Sequence, residues 1–263
     1  MSSSCCPDGS WPALTVDTER ELCGTVENLE STGLKIYYVP PQQETDTNIA
    51  VIVLYDVYGF KGGRIKSCCD QIAKATGFHV VMPDVYGDEK SIADLGGFAN
   101  PDAQKWLSQF SNEDVGKKLD GVYEFLKGKG AAKFGALGFC WGAYPVFAES
   151  ASGRIQAGAS CHPSLKIGEM FFDHSVTEQA KAVTCPILLC PAGNDPDNVK
   201  PNGDVQKLIQ EKGISCEITE FPEMQHGWVP RGDATNEAVA RDVKKSIEVV
   251  CNFFKEKLTN ASM

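Results

Sequence analysis

The hydrophobic pattern along this chain alternates between short, wholly apolar runs and longer amphipathic ones. Ile49-Ala50-Val51-Ile52-Val53-Leu54-Tyr55 is apolar on both of its alternating faces, as a strand reads when helices cover both sides of a parallel sheet. Residues 34–39, 78–84, 133–139, 155–160, 186–190 and 215–221 predict further strands. Helical periodicity predicts helices over about 65–75, 101–110, 113–128, 142–151, 204–212 and 236–257. Two stretches, 86–100 and 162–173, carry neither period. Strands alternating with helices imply repeated βαβ units, hence an α/β fold: a mostly parallel twisted sheet with helices on both faces. Residues 1–30 show little periodicity and read as a loosely structured lead-in, with 31–263 forming a single domain.

Charge and cysteine usage narrow the class of partner. A formal net charge of −10 argues against nucleic acid, which needs a basic face, and against an anionic membrane surface. No apolar run approaches the ~20 residues of a membrane span, and the first residues have neither the basic nor the apolar region of a signal peptide. The eleven cysteines are an odd number in a chain long enough to need no disulfide staples. They read as reduced thiols of a cytoplasmic protein, most of them small core residues. Cys161-His162 is an isolated pair without further ligands at a zinc spacing, so no metal is expected. No cofactor is expected either. The expected partner is a small molecule, and the expected state a monomer or homodimer.

The informative pentapeptide is Gly138-Phe139-Cys140-Trp141-Gly142, set between an apolar strand and a helix. In G-x-S-x-G hydrolases the nucleophile sits on a sharp strand-to-helix turn, and small residues two before and two after let the backbones pass closely. Here cysteine holds the serine position. A helix N-terminus and a nearby histidine are the environments that favour a reactive thiolate. The plain alternative is that Cys140 is one more structural thiol.

A nucleophile needs a base, and the base an orienting group. Of four histidines, His79 lies within an apolar strand and reads as core, while His174 reads as exposed. His226, between the 215–221 strand and the last helix, occupies the late loop where the order nucleophile, acid, histidine puts the base. His162, just after the 155–160 strand, is expected to line the pocket or serve as a second choice for base. Asp195 is the expected acid, with Asp197 as runner-up, because both follow the 186–190 strand. All three groups then project from the carboxyl ends of parallel strands. Oxyanion donors are expected from the backbone N–H groups of Trp141 and Val57, the latter in the loop after the strongest strand. Asp56 beside it is expected to face the pocket.

Five segments in order, Leu54–Phe60, Met82–Asp88, Gly138–Ala143, Ala192–Asp195 and His226–Arg231, make the chain resemble the dienelactone hydrolase, or carboxymethylenebutenolidase, family over roughly residues 25–257. The resemblance implies a Cys-Asp-His hydrolase cleaving a small ester or lactone through Cys140, Asp195 and His226. It further implies a thiol-modulating carboxylate at Asp56 and a substrate carboxylate held by Arg231 with Tyr58 nearby. Two departures stand out. Asp56 replaces the glutamate of the bacterial enzymes, and no arginine occurs between Arg64 and Arg154 to complete their arginine pair. The competing reading on the same fold is a non-catalytic or redox-responsive binding protein, suggested by exposed thiols at Cys5-Cys6 and Cys68-Cys69. Glucan hydrolysis would need two carboxylates flanking a sugar cleft, and a cysteine elbow has no part in that chemistry.

Overall fold

The computed structural model describes residues 6–14, 22–41 and 48–259. Eight strands form one sheet. They are β1 (Thr25–Asn28), β2 (Lys35–Val39), β3 (Ile49–Leu54), β4 (His79–Pro83), β5 (Lys133–Phe139), β6 (Ala157–Cys161), β7 (Ile187–Cys190) and β8 (Cys216–Ile218), in the spatial order β1-β2-β4-β3-β5-β6-β7-β8. From β4 to β8 every pairing is parallel, whereas β1 and β2 run antiparallel at one edge. Every residue of β3 is buried, which is why its sequence is apolar on both faces.

The helices are α1 (Ile65–Thr76), α2 (Pro101–Leu107), α3 (Asn112–Gly128), α4 (Ala143–Ala151), α5 (Ile167–Phe171), α6 (Val176–Ala182), α7 (Asp204–Gln210), α8 (Trp228–Arg231) and α9 (Glu237–Thr259). α1 and α9 pack together on one face, while α3, α4 and α6 cover the other. The expected α/β architecture is the observed one. No described helix is long and apolar enough to cross a membrane.

The lead-in is more ordered than its sequence suggests. Thr25–Asn28 pairs with β2 as an edge strand, so the sheet begins inside the segment read as loose. Its residues are exposed or half-buried, and a strand covered by nothing carries no alternating pattern to read. Residues 6–14, although irregular, fold back over the opposite end of the sheet. The backbone N–H of Trp11 donates to the His226 carbonyl at 2.9 Å, and the Asn194 side chain donates to the Asp8 carbonyl at 2.9 Å.

The turn from β5 into α4 is closely packed. Cys140 has φ of 51°, a left-handed conformation that costs a side-chain-bearing residue energy and persists only where packing over-determines it. Glycines on either side make it feasible. A Cβ on Gly138 would lie 2.4 Å from the Gly142 backbone, and one on Gly142 would lie 2.2 Å from the Leu54 carbonyl oxygen. The turn is therefore pressed against the carboxyl end of β3, whose following loop carries Asp56 and Val57.

Candidate active site

Cys140 is fully buried at this turn. Its Sγ lies 3.4 Å from the Ser164 hydroxyl and 3.6 Å from the Cys6 thiol. His226, from the loop before α8, reaches the same point from above the ends of β7 and β8. The sulfur atoms of Cys140 and Cys6 and a ring nitrogen of His226 all lie within 4.8 Å of one another. The Nδ1 side of His226 meets Asp195 Oδ1 at 2.6 Å, and both side chains are buried. Nε2 is buried with no hydrogen-bond partner.

Asp195 is itself fixed, because its Oδ2 accepts from the Ala192 N–H at 2.7 Å. The turn that delivers it needs Gly193, where a Cβ would meet the Pro222 carbonyl oxygen at 2.1 Å. Asp197, the runner-up, has a fully exposed side chain near Lys200. His79 bonds through Nδ1 to the Tyr38 hydroxyl at 2.8 Å, and His174 is half-buried. Neither takes part in the cluster.

Electrostatics favour a charged His226. Burial alone would keep the imidazole neutral, but the charges of Cys140, Asp195 and Cys6 and the Asp195 hydrogen bond outweigh it, holding His226 well above the usual histidine range. A positive charge there favours the thiolate form of the neighbouring Cys140.

Arg231 and Asp56 meet each other in a buried ion pair. Arg231 Nε donates to Asp56 Oδ2 at 2.8 Å with both side chains buried, and its guanidinium lies 4.5 Å over the half-buried Tyr58 ring. The expected substrate clamp is thus occupied by an internal carboxylate, with only Nη2 left buried and without a partner. Asp56 Oδ1 accepts from the Tyr58 N–H at 2.9 Å. Burial pushes its carboxyl up, Arg231 pulls it back, and the charge of Cys140 pushes it up again. Arg64 serves structure instead, donating to the carbonyls of Trp228, Val229 and Gly232 and so anchoring α8.

His162, expected to line the pocket or serve as a second choice for base, lies at the strand end beside His226. It has φ of 41°, is fully buried, and packs edge-on against His226 and Trp228, with ring centroids 4.9 and 5.2 Å away. Neither ring nitrogen has a hydrogen-bond partner. Burial first, and His226 second, push it well below the ordinary histidine range.

A cavity of about 270 Å³ opens beside the cluster, lined among others by Cys6, Pro7, Ser164, Lys166, Glu169 and Asp195. Its lining includes Cys6 and Ser164, both close to the Cys140 sulfur. Sequence reasoning missed both, and Asn194 as well, whose Oδ1 accepts from the His226 N–H at 2.6 Å. Asn194 could have been found from its place beside Asp195, whereas Cys6 and Ser164 carry no local signal. Cys6, Cys140 and His226 are also the one group of three potential metal-ligand atoms found among the described residues. Thiolate and imidazole donors of this kind suit a soft ion.

The fold and the turn define an α/β-hydrolase. A family model, described as the dienelactone hydrolase family, matches residues 34–258, and the chain belongs to that family. Hydrolase tropI of Talaromyces stipitatus is 25% identical over 247 residues, covering 89% of this chain and 90% of its own. The human carboxymethylenebutenolidase homolog is 26% identical over 217 residues, covering 80% and 82%. Among solved structures, ferulic-acid-bound Est1E of Butyrivibrio proteoclasticus superposes with a TM-score of 0.64 at 14% identity, covering 89% of this chain and all of that one. The acylaminoacyl peptidase of Pyrococcus horikoshii gives 0.67 at 18%, covering 96% of this chain and 43% of that one. The protein is a hydrolase of this family.

Two outcomes follow from the buried charges. Removing one member of a buried ion pair strands the other, at a cost of about 3–5 kcal/mol. Arg231→Ala should therefore lower unfolding stability by that order in the wild-type background and by clearly less in an Asp56→Asn background. Equal losses in urea unfolding of both backgrounds would show that the pair is not coupled.

His162 gives the pH dependence. Its folded-state value lies below its unfolded one, so the unfolded chain takes up a proton that the native protein refuses. Stability should fall as pH drops below about 6.5, by up to about 1.4 kcal/mol per pH unit from this residue. His162→Phe should remove that part of the acid limb. A wild-type and variant pair whose difference stays constant between pH 7.5 and 5.5 would refute it.

Proposed function

We propose that the protein hydrolyses a small, carboxylate-bearing ester or lactone through an acyl-enzyme on Cys140. The observation that carries this reading is His226, bonded on one side to a buried carboxylate and placed on the other beside the thiol at the turn. His226 takes the thiol proton, and Cys140 Sγ attacks the carbonyl carbon. The oxyanion is assigned to the backbone N–H groups of Trp141 and Val57, which follow the ends of β5 and β3. The carbon–oxygen bond to the leaving group then breaks, and that oxygen takes the proton from His226. Water, deprotonated by His226, releases the acyl group as a carboxylic acid and restores the thiol. Asp195 orients the imidazole and stabilises its charged form.

Family membership and relatives named as hydrolases support the reaction class. A cavity of about 270 Å³ supports a small substrate, being at the low end for small-molecule pockets. Arg231 Nη2 is the donor we assign to a substrate carboxylate, with Tyr58 stacked beneath the guanidinium. His162 acts through His226, as a positioning residue rather than a contact. The many buried thiols support action in the reducing cytoplasm, as a monomer or homodimer.

A panel of activated esters, small lactones and thioesters tests this reading. The wild type should turn over at least one class. Cys140→Ala should lose about 10³-fold or more, and Asp195→Asn about 10²–10⁴-fold, with thermal midpoints within a few degrees of wild type. Full activity in Cys140→Ala would sink the mechanism.

The role of Asp56 follows from its charge. Asp56 and an ionised Cys140 disfavour each other, whereas Arg231 favours both. Asp56→Asn leaves the cation beside the thiol with less to neutralise it, so Cys140 should react severalfold faster with iodoacetamide near neutral pH. The rate must be read by peptide mass to separate this thiol from the other ten. No acceleration at Cys140 would remove Asp56 from the thiol's control.

A further inference from the structure

We propose that Cys6 is the resolving thiol for Cys140: under hydroperoxide the two form a reversible disulfide that closes the active site. This rests on the reading of Cys140 as the nucleophile and adds a means of controlling it.

The two sulfur atoms are already 3.6 Å apart although 134 residues separate them in the chain. A disulfide bond of about 2.05 Å requires one of them to move roughly 1.5 Å. Cys140 is not the one, because Gly138, Gly142 and β3 clamp its turn. Cys6 belongs to an irregular segment tied to the body by a few contacts, at Asp8, Trp11 and, more loosely, Pro12. It can close the gap without disturbing any helix or strand. Cys6 also lines the cavity beside Cys140.

The buried thiols elsewhere are poor competitors. Cys68 and Cys69, expected as surface thiols, are buried in α1, and burial pushes Cys68 up to about 12. Cys216 and Cys251 are likewise pushed up to about 12 by burial. Cys161 and Cys190 are register neighbours on β6 and β7, but both are fully buried, and Cys161 is held well above the ordinary thiol range by its bond to Cys190 and by burial. Only a thiolate attacks a peroxide at a useful rate, and among the described residues Cys140 and Cys6 form the one cluster of two thiols and a histidine nitrogen within 4.8 Å of one another.

The chemistry balances with a hydroperoxide as oxidant. The Cys140 thiolate attacks one peroxide oxygen, an S–O bond forms, the O–O bond breaks, and the departing oxygen takes the proton held by His226 to leave as an alcohol, or as water from hydrogen peroxide. Cys140 is now a sulfenic acid. Cys6 gives its proton to His226 and its thiolate attacks the Cys140 sulfur. The S–S bond forms, the S–O bond breaks, and hydroxide takes the proton as water. Two thiols and one ROOH become one disulfide, ROH and water. A cellular dithiol or glutathione reverses it by exchange. Without Cys6 the sulfenic acid persists and is open to further oxidation to the sulfinic acid, which thiols do not reduce.

The test uses the full chain carrying Cys5→Ser, so that Cys6 is the one thiol at that end. After treatment with a few equivalents of hydrogen peroxide and blocking of residual thiols, a non-reducing digest should contain a Cys6–Cys140 cross-linked peptide. Ester turnover should fall in step with its yield and recover by more than about 80% on adding dithiothreitol. With Cys6→Ser added, the same treatment should leave Cys140 as sulfinic acid, and recovery should drop severalfold, each protein being compared with its own untreated activity. Absence of the cross-link in the Cys6-containing protein, or equal recovery in both, would overturn the proposal. Because the cross-link is read by mass, a protein that forms it without turning over any ester would refute the hydrolase reading alone.

Discussion

The site depends on one steric constraint, the crowding of the β5–α4 turn against the end of β3. Cys140 holds a left-handed backbone conformation there because two glycines allow three backbones to pass within contact distance. That packing fixes the backbone of Cys140 and sets the loop bearing Asp56 and Val57 beside it. Strain of this kind costs on the order of 1–3 kcal/mol. The sheet supports it with strands whose residues are buried on both faces.

Around this fixed sulfur the protein arranges two buried charge systems of different purpose. Asp195 and His226 form a relay whose free end faces the thiol. Asp56 and Arg231 form a closed pair whose members see the same thiol with opposite sign. The first joins a carboxylate to an imidazole beside the thiol, while the second pairs a carboxylate with a guanidinium. His162 packs edge-on against His226, and burial holds its ring well below the ordinary histidine range.

Much of this was legible in the sequence where local pattern and function coincide. β3 and β5 announce themselves by uninterrupted apolar residues, and the pentapeptide at Gly138–Gly142 states its own geometry. Asp195 and His226 follow from their positions after strands. What the sequence withheld depends on contacts between distant segments. Thr25–Asn28 pairs at an uncovered edge and has no reason to alternate. Arg231 is placed correctly near the site, yet that its charge is met by Asp56, 175 residues earlier, is a matter of tertiary geometry. His162 stands at the right strand end, but that its side chain packs against His226 and Trp228 is again tertiary geometry. Cys6 lies in a segment whose sequence carries no period, and only the folded chain sets it against Cys140.

The docking of residues 6–14 has a consequence for the order in which the molecule assembles. Asp8 bonds to Asn194 across 186 residues of chain, and Trp11 bonds to the carbonyl of His226. A ribosome emits the N-terminal segment first, yet its docking ground consists of loops that emerge near the end of synthesis. Contacts of such long sequence separation form late, since loop closure opposes them until the intervening sheet exists. The segment therefore waits while the sheet is built, and its arrival is the last act of folding rather than the first.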